Sequence, residues 1–305
     1  MVDILGIGIV TVDDFLFVDR FPQPDSKLRM QSERREMGGL TAVALVAAAR
    51  QGAQAAFGAV LGPDPLSQFC IEALEAEGID CSHVLRRAEA RPTHAYILVE
   101  VPSGLRTIVY TGEGSLMLPA EWASEELVRG CKVLFVDMAA GEAGARAAQI
   151  AHRCQIPVVG DFEHLLNPFT RQVMAEVDHL IVGQSFAAEL TGLSDPAKMA
   201  QALAEDRQVA VVTAGAAGGW YSERGQAALS YPAFRVQAVN TTGCGDVFHG
   251  AYAACLARRA PLEQAIRTAS AAAALKAASP GGCAGIPTRR AVEDFLRDRE
   301  PIPGE

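Results

Sequence analysis

Short runs of β-branched and other apolar residues recur along this chain, at 4–10, 55–60, 133–137, 156–161, 180–182 and 209–213. Longer Ala-, Glu- and Leu-rich segments of helical spacing lie between most of them, as at 41–51, 66–77 and 143–153. No other feature narrows the fold so far. A strand that is apolar on consecutive residues must bury both faces, and a helix after each strand supplies the cover. The alternation therefore predicts an α/β fold of βαβ units, with a central, mostly parallel sheet and helices on both faces. Half of the residues are hydrophobic but only 6% are aromatic, so Ala, Val and Leu must fill the core. The 305 residues suit one core carrying an insertion, and no linker, repeat or low-complexity tract marks a boundary. The expectation is a single domain over 1–305.

Two regions break the alternation. Residues 15–37 include Pro22 and Pro24 and show no helical spacing, and the extended runs 93–101 and 105–110 flank Pro102-Ser103-Gly104, a hairpin signal. These segments, about 14–37 and 92–112, are expected to pair into a small sheet outside the main core.

Charge and cysteine usage exclude several classes. The net charge of −9 disfavours nucleic-acid and anionic-membrane partners, although local cations can still hold a small anion. The seven cysteines are scattered, without a C-x-x-C pair, which argues against a zinc site or a disulfide framework and for a reducing compartment. The N-terminal stretch MVDILGIGIVTVDDF lacks a basic leader, and no apolar run approaches the roughly 18 residues of a membrane span. The reading is a soluble cytoplasmic protein.

One stretch carries chemistry: VNTTGCGDVFHGAY, residues 239–252. A helix is expected from Asp246 to Arg259, ending before Pro261, with Arg258 and Arg259 at the negative end of its dipole. Gly243 and Gly245 remove side chains before the first turn, so the backbone amides from Gly243 to Asp246 can converge on an anion. A carboxylate in the same place can accept a proton from a hydroxyl that attacks the bound phosphoryl group. The plainer alternative is a tight loop with an acidic cap. A long Ala-rich helix over 262–279 follows, and then a second glycine-rich run, Pro280-Gly281-Gly282-Cys283-Ala284-Gly285-Ile286-Pro287.

NTTGCGDVFHGA resembles the D-T-x-G-A-G-D-x-F signature of the ribokinase-type (PfkB) carbohydrate kinases, and the resemblance extends over nearly the whole chain in motif order. Asp13 matches the family's sugar-binding Asp. Gly38-Gly39 matches its sugar-touching double glycine, with Thr41 close behind. Val211-Val212-Thr213-Ala214-Gly215 with Gly218 resembles the nucleotide strand and turn, and GGCAGIP resembles the loop over adenine. The resemblance implies a ribokinase-like fold with a β-sheet lid, ATP and Mg²⁺ as co-substrate and metal, and a small sugar as acceptor. It implies Asp246 as general base and Gly243, Cys244 and Gly245 as anion hole. Asp13, Lys27, Gly38, Gly39, Thr41 and Asp246 would face the sugar. Thr213, Gly215, Gly218, Thr242, Gly243, Gly245, Gly282 and Ala284 would border the nucleotide. Lids of this family often pair, which implies a homodimer. The chain has no G-x-x-x-x-G-K-[ST] loop, in keeping with phosphate contact from the late helix.

The departures are specific. Asn240 replaces the signature's first Asp, which commonly helps bind a monovalent cation, so a requirement for one is left open. Cys244 replaces the signature's Ala, either as a tolerated change or as a thiol activated at a helix N-terminus. Gly183-Gln184-Ser185-Phe186 stands where the family's N-x-x-E motif orders metal waters, so no metal ligand is assigned. Glu189 and Asp161 are alternatives with structural readings of their own. Val43 falls where ribokinase itself has a sugar-contacting Asn. Together with Lys27 and the tail LKAASPGGCAGIP, it makes the pattern resemble the sulfofructose kinase branch. Lys27, Arg20, Arg34 and Arg35 would then meet an anionic substrate, against a plain reading as a solvated strand edge. His94, His164 and His249 read as structural or lid residues. The alternatives are a nucleoside kinase of the same fold, a non-catalytic sugar- or nucleotide-binding regulator, and an NAD protein suggested by Gly6-x-Gly8, whose third glycine position holds Thr11.

Overall fold

The computed structural model describes residues 1–297. Among these, eight strands form the large sheet, in the order β14 (Leu229–Tyr231), β13 (Gly219–Glu223), β12 (Val209–Thr213), β11 (His179–Gly183), β10 (Val158–Asp161), β9 (Cys131–Asp137), β1 (Val2–Ile7) and β4 (Ala55–Gly58). Every pairing from β12 to β4 is parallel, and β13 and β14 add antiparallel at one edge. That edge hairpin was not expected. Its signal is Glu223-Arg224-Gly225 between two short apolar runs, and its start directly follows the turn through Gly215 and Gly218.

The strands are buried on both sides. In β9, Val133 and Phe135 join one core and Leu134 and Val136 the other. In β12, Val209 and Val211 likewise part from Ala210 and Val212. The first core is covered by α1 (Leu40–Arg50), α2 (Pro65–Ala76), α8 (Cys244–Ala257), α9 (Leu262–Ala277) and α10 (Arg289–Arg297). The second is covered by α3 (Glu125–Arg129), α4 (Gly141–Arg153), α5 (Pro168–Ala175), α6 (Gln184–Thr191) and α7 (Pro196–Leu203). The Ala-rich composition follows from close helix approach. A Cβ on Gly250 of α8 would stand 2.0 Å from the Ala44 carbonyl of α1. Asp64, Asn167 and Asp195 cap α2, α5 and α7, each ahead of a first-turn proline, which needs no amide there.

The second sheet has four strands, β3 (Ser32–Gly38), β2 (Thr11–Val18), β7 (Thr93–Glu100) and β8 (Arg106–Thr111). It is the expected small sheet, with its first strand starting at residue 11 rather than 14. β2 and β7 run parallel, and the outer pairs are antiparallel. Its core is small: Phe15, Ala95 and Ile97, with Phe17 and Val99 packed against them. A two-residue pair, β5 (Val60–Leu61) and β6 (Leu85–Arg86), completes the strands. No helix among the described residues is long and apolar enough to cross a membrane.

β1 stops at Ile7, short of the expected residue 10, because the chain turns toward the small sheet there. The turn is held by Asp137, at the end of β9. Its Oδ2 accepts from the amides of Ile9 (2.8 Å) and Thr41 (3.2 Å) and from the Thr41 hydroxyl (2.7 Å), and its Oδ1 accepts from the Ala139 amide (2.7 Å). Residue 8 must be glycine for this clasp, since a Cβ there would stand 2.2 Å from Asp137 Oδ2. Gly6-x-Gly8 is thus a packing feature and not a dinucleotide turn.

Candidate active site

The C-terminal ends of the parallel strands form one edge, where α/β sheets ordinarily bind ligands. Asp137 of β9 and Asp161 of β10 lie side by side in register, as do Gly183 of β11 and Thr213 of β12. The N-terminus of α8 is fastened to this edge by His249. Its Nε2 lies 2.9 Å from the Ile181 carbonyl and its Nδ1 lies 2.8 Å from the Gly245 carbonyl. His249 is buried in a structural role.

α8 begins at Cys244, two residues before the expected start, because Gly243 takes a left-handed conformation (φ 77°) as its N-cap. The preceding loop folds on itself. Asn240 Oδ1 accepts from the Thr242 amide (3.0 Å), and the Cys244 amide turns back to the Thr241 carbonyl (3.3 Å). The amides of Gly243, Gly245 and Asp246 find no acceptor among the described residues. These three, rather than Gly243, Cys244 and Gly245, are the open donors. Nothing lies within 4 Å of where a Cβ on Gly245 would stand, so this side is clear for a ligand.

Asp246 stands in the first turn of α8, partly buried, with its Oδ2 3.8 Å from the Cβ position of Gly243. Burial lifts its pKa well above the usual carboxylate value. The charges of Asp161 and Glu163 add to the rise, and His249 opposes it. Burial also lifts the Cys244 thiol, with only partial relief from the Lys276 ammonium, so Cys244 is not an activated thiolate.

Some of the residues expected to face the sugar lie at the base of the small sheet. Asp13 on β2 accepts from the Thr11 hydroxyl (2.9 Å), and a Cβ on Gly38 would stand 2.3 Å from Asp13 Oδ2. Burial raises the Asp13 pKa. Gly39 (φ 100°) turns the chain from β3 into α1. Val43 of α1 then reaches to 3.7 Å from the Cβ position of Gly243, which brings the start of α1 and the 240–243 loop together. Thr41 is placed differently from the expectation: it is fully buried, and its hydroxyl bonds Asp137. Lys27 is exposed on the loop between β2 and β3. Arg34 pairs with Glu36 and stacks on Phe15 and Phe17, and Arg35 forks onto Asp14. Two of the four expected anion-binding cations are therefore already matched.

On the nucleotide side, Thr213 ends β12, and Gly215 and Gly218 shape the tight turn into β13. The 281–285 loop is held from below by Arg50, whose Nη1 donates to the carbonyls of Cys283 (2.8 Å) and Ile286 (2.7 Å). Ala284 is exposed on this loop. The Gly282 amide meets Glu36 of β3 (3.3 Å), so the loop also touches the small sheet. One residue escaped the sequence reading. Arg106 of β8 donates from Nη1 to the Thr242 hydroxyl (2.8 Å), linking the small sheet to the anion-hole loop. A lone Arg in a hairpin gives no sequence signal of such a reach.

Residues 1–289 match the pfkB family of carbohydrate kinases, and the chain belongs to that family. It is a carbohydrate kinase by family. It is 29% identical over 303 residues to the ribokinase of Haemophilus influenzae, spanning 95% of this chain and 97% of that one. It is also 29% identical over 303 residues to the ATP-dependent ribose-1-phosphate kinase of Halopiger xanaduensis, spanning 98% and 99%. The structure of Arabidopsis thaliana ribokinase complexed with ribose and ATP has the same fold, with a TM-score of 0.86 at 22% identity over 97% of this chain and 99% of that one. The sulfofructose kinase branch has no representative among these relatives.

Proposed function

We propose that this kinase phosphorylates a primary hydroxyl of a small sugar or sugar derivative held between Asp13, Gly38 and Gly39 and the N-terminus of α8. The observation that carries the reading is the pairing of open amides at Gly243, Gly245 and Asp246 with a carboxyl group of raised pKa in the same turn. The hydroxyl proton passes to Asp246 as the sugar oxygen bonds the γ-phosphorus. The bond from that phosphorus to the β–γ bridging oxygen breaks, ADP leaves, and the amides hold the charge on the phosphoryl oxygens. The small sheet acts as a lid that keeps water from the phosphoryl group.

Mg²⁺ belongs with ATP in this reading and would neutralise phosphate charge. No group of three or more His, Cys, Asp or Glu side chains among the described residues could hold a metal by itself. Asp161, buried at the same strand edge with its Oδ2 3.2 Å from His249 Nδ1, is the carboxylate that would meet a metal's water shell. A sugar is favoured over a nucleoside because Phe15 and Phe17 are taken up by the small sheet's own core and by Arg34. The apolar side chains exposed on β7 and β8, Tyr96, Ile108, Val109 and Tyr110, suit pairing with a second copy, which sedimentation would detect. The seven free cysteines suit a cytoplasmic setting.

The test is ADP release with MgATP over neutral aldoses and ketoses, ribose 1-phosphate, a sulfonated ketose and nucleosides. Asp246→Asn should lower kcat roughly 10²–10⁴-fold on the best substrate, the scale of removing a general base, with ATP affinity little changed. Because burial raises its pKa, Asp246 should lose its ionised form as pH falls through a value above the ordinary carboxylate range. The acid limb of kcat should lie there and vanish in the variant. Near wild-type turnover in Asp246→Asn would reject the assigned base.

A further inference from the structure

The described residues include a buried cation that the reaction as derived does not use. Lys276, in the last turn of α9, is 1% exposed, and its Nζ has no hydrogen-bond partner. Burying an unpaired ammonium is strongly unfavourable, so the fold must gain something by keeping it. Its surroundings say what. The next residue, Ala277, accepts from the amides of Val239 (2.7 Å) and Asn240 (3.0 Å) through its carbonyl, so the end of α9 carries the start of the anion-hole loop. The Lys276 Cδ lies 3.6 Å from the Cβ position of Gly285, beneath the second glycine loop. Its charge is felt at Cys244, within the first turn of α8. Lys276 thus stands at the negative end of one helix, beside the residue that anchors the loop before the positive end of another, with its side chain against the loop assigned to the nucleotide.

The same neighbourhood fits an external monovalent cation poorly. Asn240 offers no negative charge, and its Oδ1 is engaged by the Thr242 amide. A second cation would also meet the repulsion of Lys276 in a place of low polarisability. We infer that Lys276 is a built-in cation behind the anion hole, which supports the open amides electrostatically and lets the kinase turn over without a monovalent ion. Lys276 acts through the loop and is a positioning residue. The inference rests on the kinase reading above.

The experiment measures kcat of the wild type on its best sugar in tetramethylammonium salts, and then with K⁺, NH₄⁺ or Na⁺ substituted at constant ionic strength. The wild type should be indifferent to the exchange. Lys276→Ala, which leaves a space of about the right size for a small cation, should lose roughly 10–100-fold in kcat, somewhat less than the loss of a direct donor to the transition state. It should regain much of this loss with NH₄⁺ or K⁺, with little change in the sugar KM. A purely structural role would show no such rescue. Activation of the wild type by K⁺ would overturn the inference, whether or not the variant folds. So would a folded Lys276→Ala that keeps full activity, or one that loses activity without rescue. ADP formation that K⁺ accelerates rejects this inference alone, whereas no ADP from any sugar and no ATP binding rejects the kinase reading.

Discussion

The large sheet and the small sheet use the same kinds of residue to opposite ends. In β9, six of seven residues are buried, and their side chains alternate between two cores. In β8, all six residues are exposed, Ile108, Val109 and Tyr110 among them. β-branched and aromatic residues make both extended, but only helices on both faces make the first rigid. The difference separates two tasks. The large sheet fixes the positions of Asp137, Asp161 and Asp246, while the small sheet, with its narrow core, can open locally at low cost. At its base the small sheet joins the first core through Val12 and Met37, while its outer part meets the rest of the protein through polar contacts such as Arg106 with Thr242 and Glu36 with Gly282.

Substitutions can sharpen this contrast. The largest effect on stability is expected from Asp137→Ala, which strands the buried amide of Thr41 and the partly buried amides of Ile9 and Ala139 and should cost about 3 kcal/mol, at roughly 1–3 kcal/mol for an unsatisfied buried donor and less for the other two. Thermal unfolding would show it as a clear fall in Tm, and an unchanged Tm would mean the clasp is dispensable. An intermediate effect is expected from Arg106→Ala. Its bond to Thr242 is exposed, so Tm should hardly move, whereas kcat should fall by about tenfold if the small sheet orders the anion-hole loop, a coupling of about 1.4 kcal/mol. Equal losses in Tm and kcat would make it an ordinary structural contact. The smallest effect belongs to Lys27→Ala, an exposed site where stability should change by less than about 0.5 kcal/mol. Its use is to divide substrates, since a greater rise in KM for an anionic sugar than for a neutral one would assign Lys27 to the substrate, and equal effects would leave it a solvated loop residue.

Much of this was legible in the sequence because periodicity and glycine spacing are local signals. The apolar runs at 133–137 and 209–213 read as strands, and Gly243 with Gly245 before an apolar run reads as the opening of a helix. What escaped depends on partners distant in the chain. Asp137 reads as the polar end of a strand until Ile9 and Thr41 arrive at it, 128 and 96 residues away. Lys276 carries no signal in an Ala-rich helix that tells of its burial. Thr41 looked like a sugar contact because it follows the double glycine, but an inward-facing hydroxyl beside a buried carboxylate has a nearer partner. The start of α8 was placed late because a left-handed glycine cap leaves no side-chain signature of the Ser, Thr or Asp kind.

The Asp137 clasp has a consequence for how such an enzyme can be varied. The chain leaves the large sheet at Ile9 and returns at Thr41, and one carboxylate oxygen holds both points. Everything from 10 to 40 is therefore a closed excursion whose entrance and exit lie a few ångströms apart. Within it, β2 pairs along its length with β7, and Val12 and Met37 sit in the first core, so the part that can be lengthened, shortened or exchanged without altering the path of the rest is the loop 19–31 between β2 and β3. Exchange of that loop would change Lys27 and its neighbours while the strand that carries Asp13 keeps its pairing.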